Sequence, residues 1–251
     1  MADRSIQLEH MTWPEVGSVL EEGYTTVIVP CGAVEQHGPH LPLFMDAEHG
    51  THLALEVARR MGRTLVAPTI RIGCSEHHLA FPGTLSLSVD TFVAVCRDYV
   101  RSLAHHGFRR ICMLPSHGGN FTPLANALPE LDEVAGSACS VVAYTDLLGL
   151  LSLWRQAVAE AGGPGENVGG HADVAESSLM LLWHPGLVHR DLATSGFAPE
   201  WTREGFERLI KEGFRTVTPN GILGDARGMS REAGERCLMA LADAVADLFR
   251  A

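Results

Sequence analysis

Four side chains that can bind a divalent cation lie close together in the sequence, directly after an apolar run. The segment Val27–Asp46 opens with VIVP and then contains Glu35, His37, His40 and Asp46. Carboxylates mixed with imidazoles on an irregular segment are ligands that Zn²⁺, Mn²⁺ or Fe²⁺ takes in proteins. Prolines and glycines in this segment oppose helix formation and hold a loop in one shape. These residue types favour a metal site; a His-rich polar surface loop is the alternative.

Three further polar clusters follow along the chain. They are Glu76 with His77 and His78, His117 with Asn120, and His171 with Asp173 and Glu176. The sequence contains no HExxH, Walker phosphate-loop, GxGxxG or GxSxG motif. This excludes zincins, nucleotide hydrolases, dinucleotide-binding enzymes and serine hydrolases in their usual forms.

Composition excludes further classes of partner. The 251 residues carry a formal net charge of −11, and no basic patch is present to displace phosphate counterions, so we expect no nucleic-acid partner. The six cysteines show no CxxC spacing and lie mostly in apolar runs, which is typical of free thiols in a core. No apolar run reaches the roughly eighteen residues that span a bilayer, and the N-terminal segment lacks a secretory core. We therefore expect a cytoplasmic protein with no membrane partner.

Apolar strands alternate with amphipathic helices along the first part of the chain. Strands are predicted at Thr25–Pro30, 64–70, 109–115 and 137–145. Such alternation predicts an α/β fold with a mainly parallel sheet and helices on both faces. In these sheets, sites gather at the carboxyl ends of the strands, so the loops with His37 and His117 should meet at one edge. No composition break marks a second domain, and we expect residues 1–251 to form a single one.

Local signals predict several element boundaries. Thr12 and Glu15 resemble a capping box, and Asp46 is predicted to cap the helix that follows it. Pro129 should interrupt the helix that follows His117. Helical periodicity returns at Trp201–Phe214 and near the end of the chain. The Gly-rich stretch 162–170 is a candidate lid.

Four motifs together resemble the creatininase (creatinine amidohydrolase) family. They are GAVEQHGPHLPLFMD, FPGTLSLS, SHGGN and HADVAESSLMLL, in the family's order and across nearly the whole chain. The first motif is long enough to be highly specific. The resemblance implies a metal-dependent amidohydrolase with a three-layer α/β/α fold and two adjacent divalent ions, which are Zn²⁺ or Mn²⁺, with Fe²⁺ as a further candidate. It also implies assembly as a hexamer, which is common in the family.

The resemblance also implies roles for individual residues. Glu35, His37 and Asp46 match metal ligands of the first motif, with Asp46 in the bridging position, and His117 matches the ligand of the third motif. His171 matches the family's catalytic histidine.

Two departures from the family pattern make creatinine itself a doubtful substrate. Gly119 stands where creatininase has a glutamate that binds metal. Glu176 is the best candidate to replace that glutamate, both as a metal ligand and as a catalytic residue. Asp173 stands where the family has glycine, and we expect it to orient His171 or to bind substrate. His78 is a second candidate for substrate binding, with a structural role as the alternative.

The chemistry that this set would perform is amide hydrolysis. Two bridged cations bring the pKa of a shared water to about 7, which supplies hydroxide at neutral pH. His171 would then protonate the leaving nitrogen of a small linear or cyclic amide. Within the family, formamide deformylation, peptide trimming in redox-cofactor maturation and hydrolysis of a cyclic polyol ketone remain open. A catalytically silent metal-binding protein and a metal-free α/β domain are the alternatives from other classes.

The remaining candidates receive structural interpretations. We expect His40 to shape its loop, Asn120 to fix its loop through backbone hydrogen bonds, and Trp154 to lie in the core. Glu76 and His77 are predicted at the rim or surface. Other histidines, namely His49, His52, His105, His106, His184 and His189, are read as ordinary helix-face or surface residues. A nucleotide-phosphate substrate would require a basic cluster, for which Arg71, Arg109, Arg110 and Arg227 are the candidates.

Overall fold

Four parallel strands form the central sheet of the protein, whose computed structural model describes residues 5–198, 209 and 211–251. The strands are β1 (Thr26–Cys31), β2 (Thr64–Val66), β3 (Arg110–Pro115) and β4 (Ser140–Ala143), in the spatial order β2-β1-β3-β4. Each neighbouring pair is parallel. The outer strands β2 and β4 are shorter than the apolar runs predicted, because only part of each run pairs with its neighbour.

Helices connect and cover the strands in the described part of the chain. They are α1 (Trp13–Glu21), α2 (Met45–Met61), α3 (Val89–His105), α4 (Gly118–Ala135), α5 (Leu147–Glu160), α6 (Val174–Trp183), α7 (Phe214–Val217) and α8 (Arg231–Arg250). A second, antiparallel sheet pairs β5 (Val168–His171) with β6 (Leu223–Gly224). The helix predicted at Trp201–Phe214 falls mainly outside the described residues.

Each face of the central sheet has its own apolar core. Ile28 and Cys112 face a core shared with α2, α5, α6 and α8, whereas Val27 and Ile111 face a core shared with α1, α3 and α4. Side chains of a strand alternate between the two faces, so a strand covered on both faces must be apolar throughout. The continuous apolar runs therefore produce three layers, and the predicted α/β/α arrangement is confirmed.

The two central strands end side by side. Cys31 at the end of β1 pairs with Pro115 at the end of β3, so the loops that follow them leave from the same edge. The sequence prediction on this point is confirmed. The capping box of Thr12 and Glu15 is also present, and Thr12 precedes α1.

Two predicted helix signals are wrong. Asp46 does not cap α2, because Phe44 precedes the helix and Asp46 already lies within its first turn. Its carboxylate is instead turned towards His37 and His117. Pro129 does not interrupt α4, which runs through it to Ala135. A proline removes one hydrogen bond from a helix, and burial of the apolar face of α4 against the sheet offsets that loss.

The Gly-rich segment after α5 is built into the fold. Its second half forms β5, and Val168 and Gly169 are buried. Arg155 donates a hydrogen bond from Nε to the Val168 carbonyl oxygen, which ties the segment to α5. This segment therefore positions His171 at its end, and the geometry does not support a hinged lid.

The cysteines and the lengths of the apolar helices were also predicted from the sequence. All six cysteines are free and buried, as predicted for core thiols. Among the described residues, no helix is both long enough and apolar enough to cross a bilayer.

Candidate metal centre

Five carboxylate and imidazole side chains converge at the carboxyl edge of the central sheet. Glu35 and His37 lie on the loop after β1, Asp46 at the start of α2, His117 directly after β3, and Glu176 in the first turn of α6. All five are buried, with at most 5% of their surface exposed. The topology thus brings together segments that are far apart in the sequence.

The first group comprises Glu35, Asp46 and His117. Nδ1 of His117 lies 3.3 Å from Oε1 of Glu35 and 3.2 Å from Oδ2 of Asp46. The three ligand atoms lie within 4.8 Å of one another, so one cation could contact all of them.

The second group comprises His37, Asp46 and Glu176. Nε2 of His37 lies 3.3 Å from Oδ1 of Asp46 and 3.6 Å from Oε2 of Glu176. Asp46 thus turns one carboxylate oxygen to each group, which is the arrangement of a ligand that bridges two cations. The structure places Glu176 beside His37, where the expected replacement ligand is needed.

Several of these atoms have no hydrogen-bond partner among the described residues. They are both carboxylate oxygens of Glu35, Oδ2 of Asp46 and Nε2 of His37. A buried polar atom without a partner costs about 1–3 kcal/mol, and more when it is charged. Nitrogen and carboxylate oxygen donors in mixed sets suit divalent metals such as Zn²⁺ and Mn²⁺. The residues therefore fit a pair of divalent cations.

The pKa shifts of His37 and Glu176 also indicate a centre that attracts positive charge. Burial alone would lower the pKa of His37, but the carboxylates of Asp46 and Glu176 raise it to about 10. Burial and the neighbouring Asp46 carboxylate raise the pKa of Glu176 to about 8, against the opposing effect of His37. Without cations, protons on these side chains offset the clustered negative charge. Divalent cations would take over that role.

The start of α4 leaves no space for a ligand at position 119. A Cβ atom on Gly119 would lie 2.2 Å from the Cys74 carbonyl oxygen and 2.5 Å from Nε2 of His117. Both contacts are far shorter than real Cβ contacts. Glu176 approaches from α6 instead, and the backbone N–H of Ala172 holds its Oε2 at 2.5 Å.

Hydrogen bonds to backbone groups orient His117 and fix the loops around the centre. Nε2 of His117 lies 3.0 Å from the Cys74 carbonyl oxygen, which can only accept, so Nε2 carries a proton and Nδ1 is the nitrogen that faces the carboxylates. Burial lowers the pKa of His117, but the carboxylates of Glu35 and Asp46 outweigh it and raise the pKa well above its usual value, so a cation at Nδ1 would replace a proton. Asn120 donates from Nδ2 to the carbonyl oxygens of Cys31 and Gly32 and accepts from the Cys74 N–H. The predicted structural role of Asn120 is confirmed. The side chain joins the loop after β1 to the segment that precedes a short helical turn at Glu76–His78, the 76–78 turn.

Gln36 connects the two histidines next to the centre, and the sequence reasoning did not identify it. Nε2 of His171 lies 2.8 Å from the Gln36 carbonyl oxygen and therefore donates to it. The Gln36 side-chain amide has two hydrogens, which reach Nδ1 of His78 at 2.9 Å and the Gly221 carbonyl oxygen at 3.1 Å. Its position between Glu35 and His37 was the only signal available.

These hydrogen bonds determine which ring nitrogens face the ligands. With its proton on Nε2, neutral His171 presents the lone pair of Nδ1, which lies 3.7 Å from Oε1 of Glu35. His78 accepts from Gln36 at Nδ1, so its Nε2 proton faces Oε1 of Glu35 at 3.2 Å. Burial lowers the pKa of both histidines, and nearby histidines add to the effect. His78 thus lies beside Glu35, and its contact with substrate stays a prediction.

The expectation for Asp173 is wrong. Its carboxylate caps α6 by accepting from the N–H groups of Ala175 and Glu176, and it also accepts from those of Gly169 and Gly170. With four backbone donors around its two oxygens and no exposed surface, Asp173 has no capacity left for substrate or for the His171 ring. The residue holds the turn that carries His171 and Glu176.

Aromatic packing encloses the histidines. The Phe214 ring centroid lies 3.8 Å from that of His78 and 4.9 Å from that of His171. His77, predicted at the surface, is buried between His117 and Phe214, because the 76–78 turn folds inward over the centre. The structural role expected of His40 is confirmed: the ring is buried, and its Nε2 lies 2.8 Å from the Ser177 hydroxyl.

Comparisons with known proteins agree with this geometry. The profile of the family described as "Creatininase: Creatinine amidohydrolase" matches residues 9–249. Creatinine amidohydrolase of Pseudomonas putida is 31% identical over 261 residues, covering 98% of both chains. The mycofactocin precursor peptide peptidase of Mycobacterium ulcerans (strain Agy99) is also 31% identical, covering 90% of this chain and 85% of the peptidase. Two solved creatininases, a Zn–Zn type mutant and a manganese form, superpose with a TM-score of 0.77 at 28% identity, over 98% or more of each chain.

Proposed function

The chain belongs to the creatininase family of amide-bond hydrolases, and on that premise we propose that it is a dinuclear metal-dependent amidohydrolase of small linear or cyclic amides. One observation carries the proposal. The two carboxylate oxygens of Asp46 face two separate sets of buried ligand atoms, several of which have no other partner among the described residues. Glu35 and His117 would hold one cation, His37 and Glu176 the other, with Asp46 shared.

The cations would supply an activated water and a polarised substrate carbonyl. The chain's own part in the reaction is proton transfer and enclosure. His171 presents the Nδ1 lone pair to the centre, so in its resting form it accepts a proton. The O–H proton of the attacking water would pass to Nδ1 of His171, and the same proton would then go to the amide nitrogen as the C–N bond breaks.

This assignment refines the role expected from the sequence. A neutral His171 cannot donate from Nδ1 until it has taken up a proton, because its single N–H is already engaged with the Gln36 carbonyl oxygen. His171 would therefore act first as base and then as acid. The lowered pKa of its buried ring favours the unprotonated starting form.

The four arginine candidates do not support a nucleotide-phosphate substrate. Arg109 and Arg110 lie at the amino end of β3, opposite His117. Arg71 faces Glu48, and Arg227 pairs with Asp225. Peptide trimming is the second candidate, supported by the similarity to mycofactocin precursor peptide peptidases.

The test is hydrolysis and metal content measured on the same protein. The panel should contain creatinine, formamides, cyclic imides and short peptides. We expect chelation to abolish hydrolysis, and Mn²⁺ or Zn²⁺ to restore it once the two tightest sites of each chain are filled. A Glu76→Gln variant, on the exposed side of the 76–78 turn, is the matched control and should behave as wild type. Full activity of the metal-free protein would contradict the proposal. Two bound ions without hydrolysis of any substrate would favour the silent metal-binding protein.

A further inference from the structure

A second cluster of imidazole and carboxylate groups lies away from the catalytic centre. Glu48 and His52 are four residues apart on α2, and His184 directly follows α6. Oε2 of Glu48 lies 3.2 Å from Nε2 of His184 and 3.8 Å from Nε2 of His52. All three ligand atoms lie within 4.8 Å of one another, and the side chains are partly exposed.

Aromatic side chains hold both rings in place. His52 stacks on Trp183 with a centroid distance of 4.4 Å and an interplanar angle of 7°. His184 packs edge-on against Phe44, with centroids 5.5 Å apart. Side chains that are ordered before binding lose less conformational entropy when a ligand arrives. Such ordering separates this cluster from an ordinary pair of surface histidines.

Glu48 is oriented as well. Arg71 contacts its other oxygen, with Nη1 3.4 Å from Oε1, so that Oε2 is directed at the two histidines. Ligand bonds of about 2.0–2.1 Å in a tetrahedral zinc site place neighbouring donor atoms about 3.3 Å apart. The separation of Oε2 of Glu48 from Nε2 of His184, 3.2 Å, matches that value, and its separation from Nε2 of His52, 3.8 Å, is somewhat longer.

We propose that Glu48, His52 and His184 form an additional divalent-cation site, with Zn²⁺ as the best-fitting ion, that links the first turns of α2 to the end of α6. Two imidazoles and one carboxylate with an open side are a common three-ligand zinc set. The site would join the two helices that carry Asp46 and Glu176, and it would leave the catalytic ligands themselves untouched. The proposal is independent of the proposed hydrolase function.

The competing interpretation is a simple hydrogen bond between Glu48 and His184 with no metal ion. The two differ in what a metal titration would show. A Glu48→Gln variant retains the size and packing of the side chain but loses the charged ligand. The double variant of His105 and His106 to alanine, at the exposed end of α3, is a matched control for unspecific binding to surface histidines.

The experiment counts ions and measures Zn²⁺ affinity by calorimetry, starting from protein already loaded at its tightest sites. We expect wild type to bind one more Zn²⁺ per chain than Glu48→Gln, or to bind that ion at least tenfold more tightly. Cu²⁺ bound at the same site should quench Trp183 fluorescence, and this quenching should be lost in Trp183→Phe. The His105/His106 control should bind as wild type does.

Equal stoichiometry and affinity in wild type and Glu48→Gln would overturn the proposal. So would loss of the additional ion in the His105/His106 control. Retention of the tightest ions by Glu48→Gln verifies that the variant is folded, and His184→Asn provides a second, independent removal of one ligand. Because the additional ion is counted separately, its absence would leave the hydrolase proposal unaffected.

Discussion

Helix α2 contributes to two clusters of the same residue types in contrasting surroundings. Asp46 belongs to the buried candidate metal centre, and Glu48, two residues later, belongs to the cluster of Glu48, His52 and His184 at the surface, the peripheral cluster. The Asp46 side chain is 3% exposed, whereas that of Glu48 is 22% exposed and also contacts Arg71. One helix thus places one carboxylate in a buried environment and another in a hydrated environment.

Burial decides how strongly each cluster requires a cation. A buried charge without a partner is costly, because the protein cannot replace the solvation that water supplied. A partly exposed ion pair contributes only about 0–1 kcal/mol, so it can form or break with little effect on stability. The candidate metal centre should therefore depend on cations, whereas the peripheral cluster should bind a cation without depending on it.

The largest expected effect is at the shared ligand. Asp46→Asn retains the shape of the side chain but removes the charge that both groups share. We expect turnover to fall on the order of 10³-fold or more, with loss of at least one ion per chain. Metal analysis and steady-state kinetics provide the measurement. The comparison between the two clusters would fail if Glu48→Gln lowered turnover as much as Asp46→Asn.

Glu176→Gln should have the next largest effect. The variant weakens only the second group, so we expect one ion to be retained and turnover to fall roughly 10²-fold. Because Gly119 has no space for a side chain, no residue at that position can restore the ligand. Two tightly held ions in Glu176→Gln would show that Glu176 is not a ligand.

Gln36→Ala should reduce turnover by about 10–100-fold, as is usual when a group that orients the ligands is removed. The substitution frees the His78 ring from the amide that now sets its protonation pattern. The readout is kcat together with its pH profile, because a purely structural defect would lower kcat without moving the profile. If kcat and its pH profile were both unchanged, Gln36 would not be a positioning residue.

The two clusters should also differ in how metal affinity depends on pH. In the cation-free protein the raised pKa of His37, about 10, keeps its ring protonated at neutral pH, so a cation must displace that proton. Affinity at the candidate metal centre should then rise about tenfold per pH unit for each proton released, up to about pH 10. Burial lowers the pKa of His52, so His52 should release less of a proton than His37 when the cluster of Glu48, His52 and His184 binds a cation. Calorimetry in buffers of different ionisation enthalpy counts the protons; equal release at both clusters would contradict the contrast.

Asp173→Asn should have the smallest effect on catalysis. Asparagine can still cap α6 with its oxygen, but its amide group would meet the N–H groups of Gly169 and Gly170. We expect unfolding to become easier by about 1–2 kcal/mol, with KM within a factor of about three of wild type. A large rise in KM without loss of stability would instead return Asp173 to a substrate-binding role.

The sequence predicted the residues at the centre better than their contacts. Glu35, His37, Asp46 and His117 follow from motif and strand order, because the carboxyl ends of neighbouring parallel strands meet at one edge. The prediction for Asp173 was wrong, because the sequence of a carboxylate two residues after His171 is the same whether that carboxylate faces the imidazole ring or backbone N–H groups. His77 was misjudged similarly, because burial of a turn depends on what folds over it.

What the sequence alone determined was the layered fold, the order of the apolar strands and the identity of the ligand-bearing loops. Continuous apolar runs and local caps are properties of short segments, and they can be read without knowing the partners. The tertiary structure alone decided that Glu176 approaches His37, that Gln36 sets the protonation of two rings, and that Glu48 and His52 meet His184. Those contacts join residues more than 40 and up to about 140 positions apart, and only the packing of helices on a twisted sheet brings such residues within bonding distance.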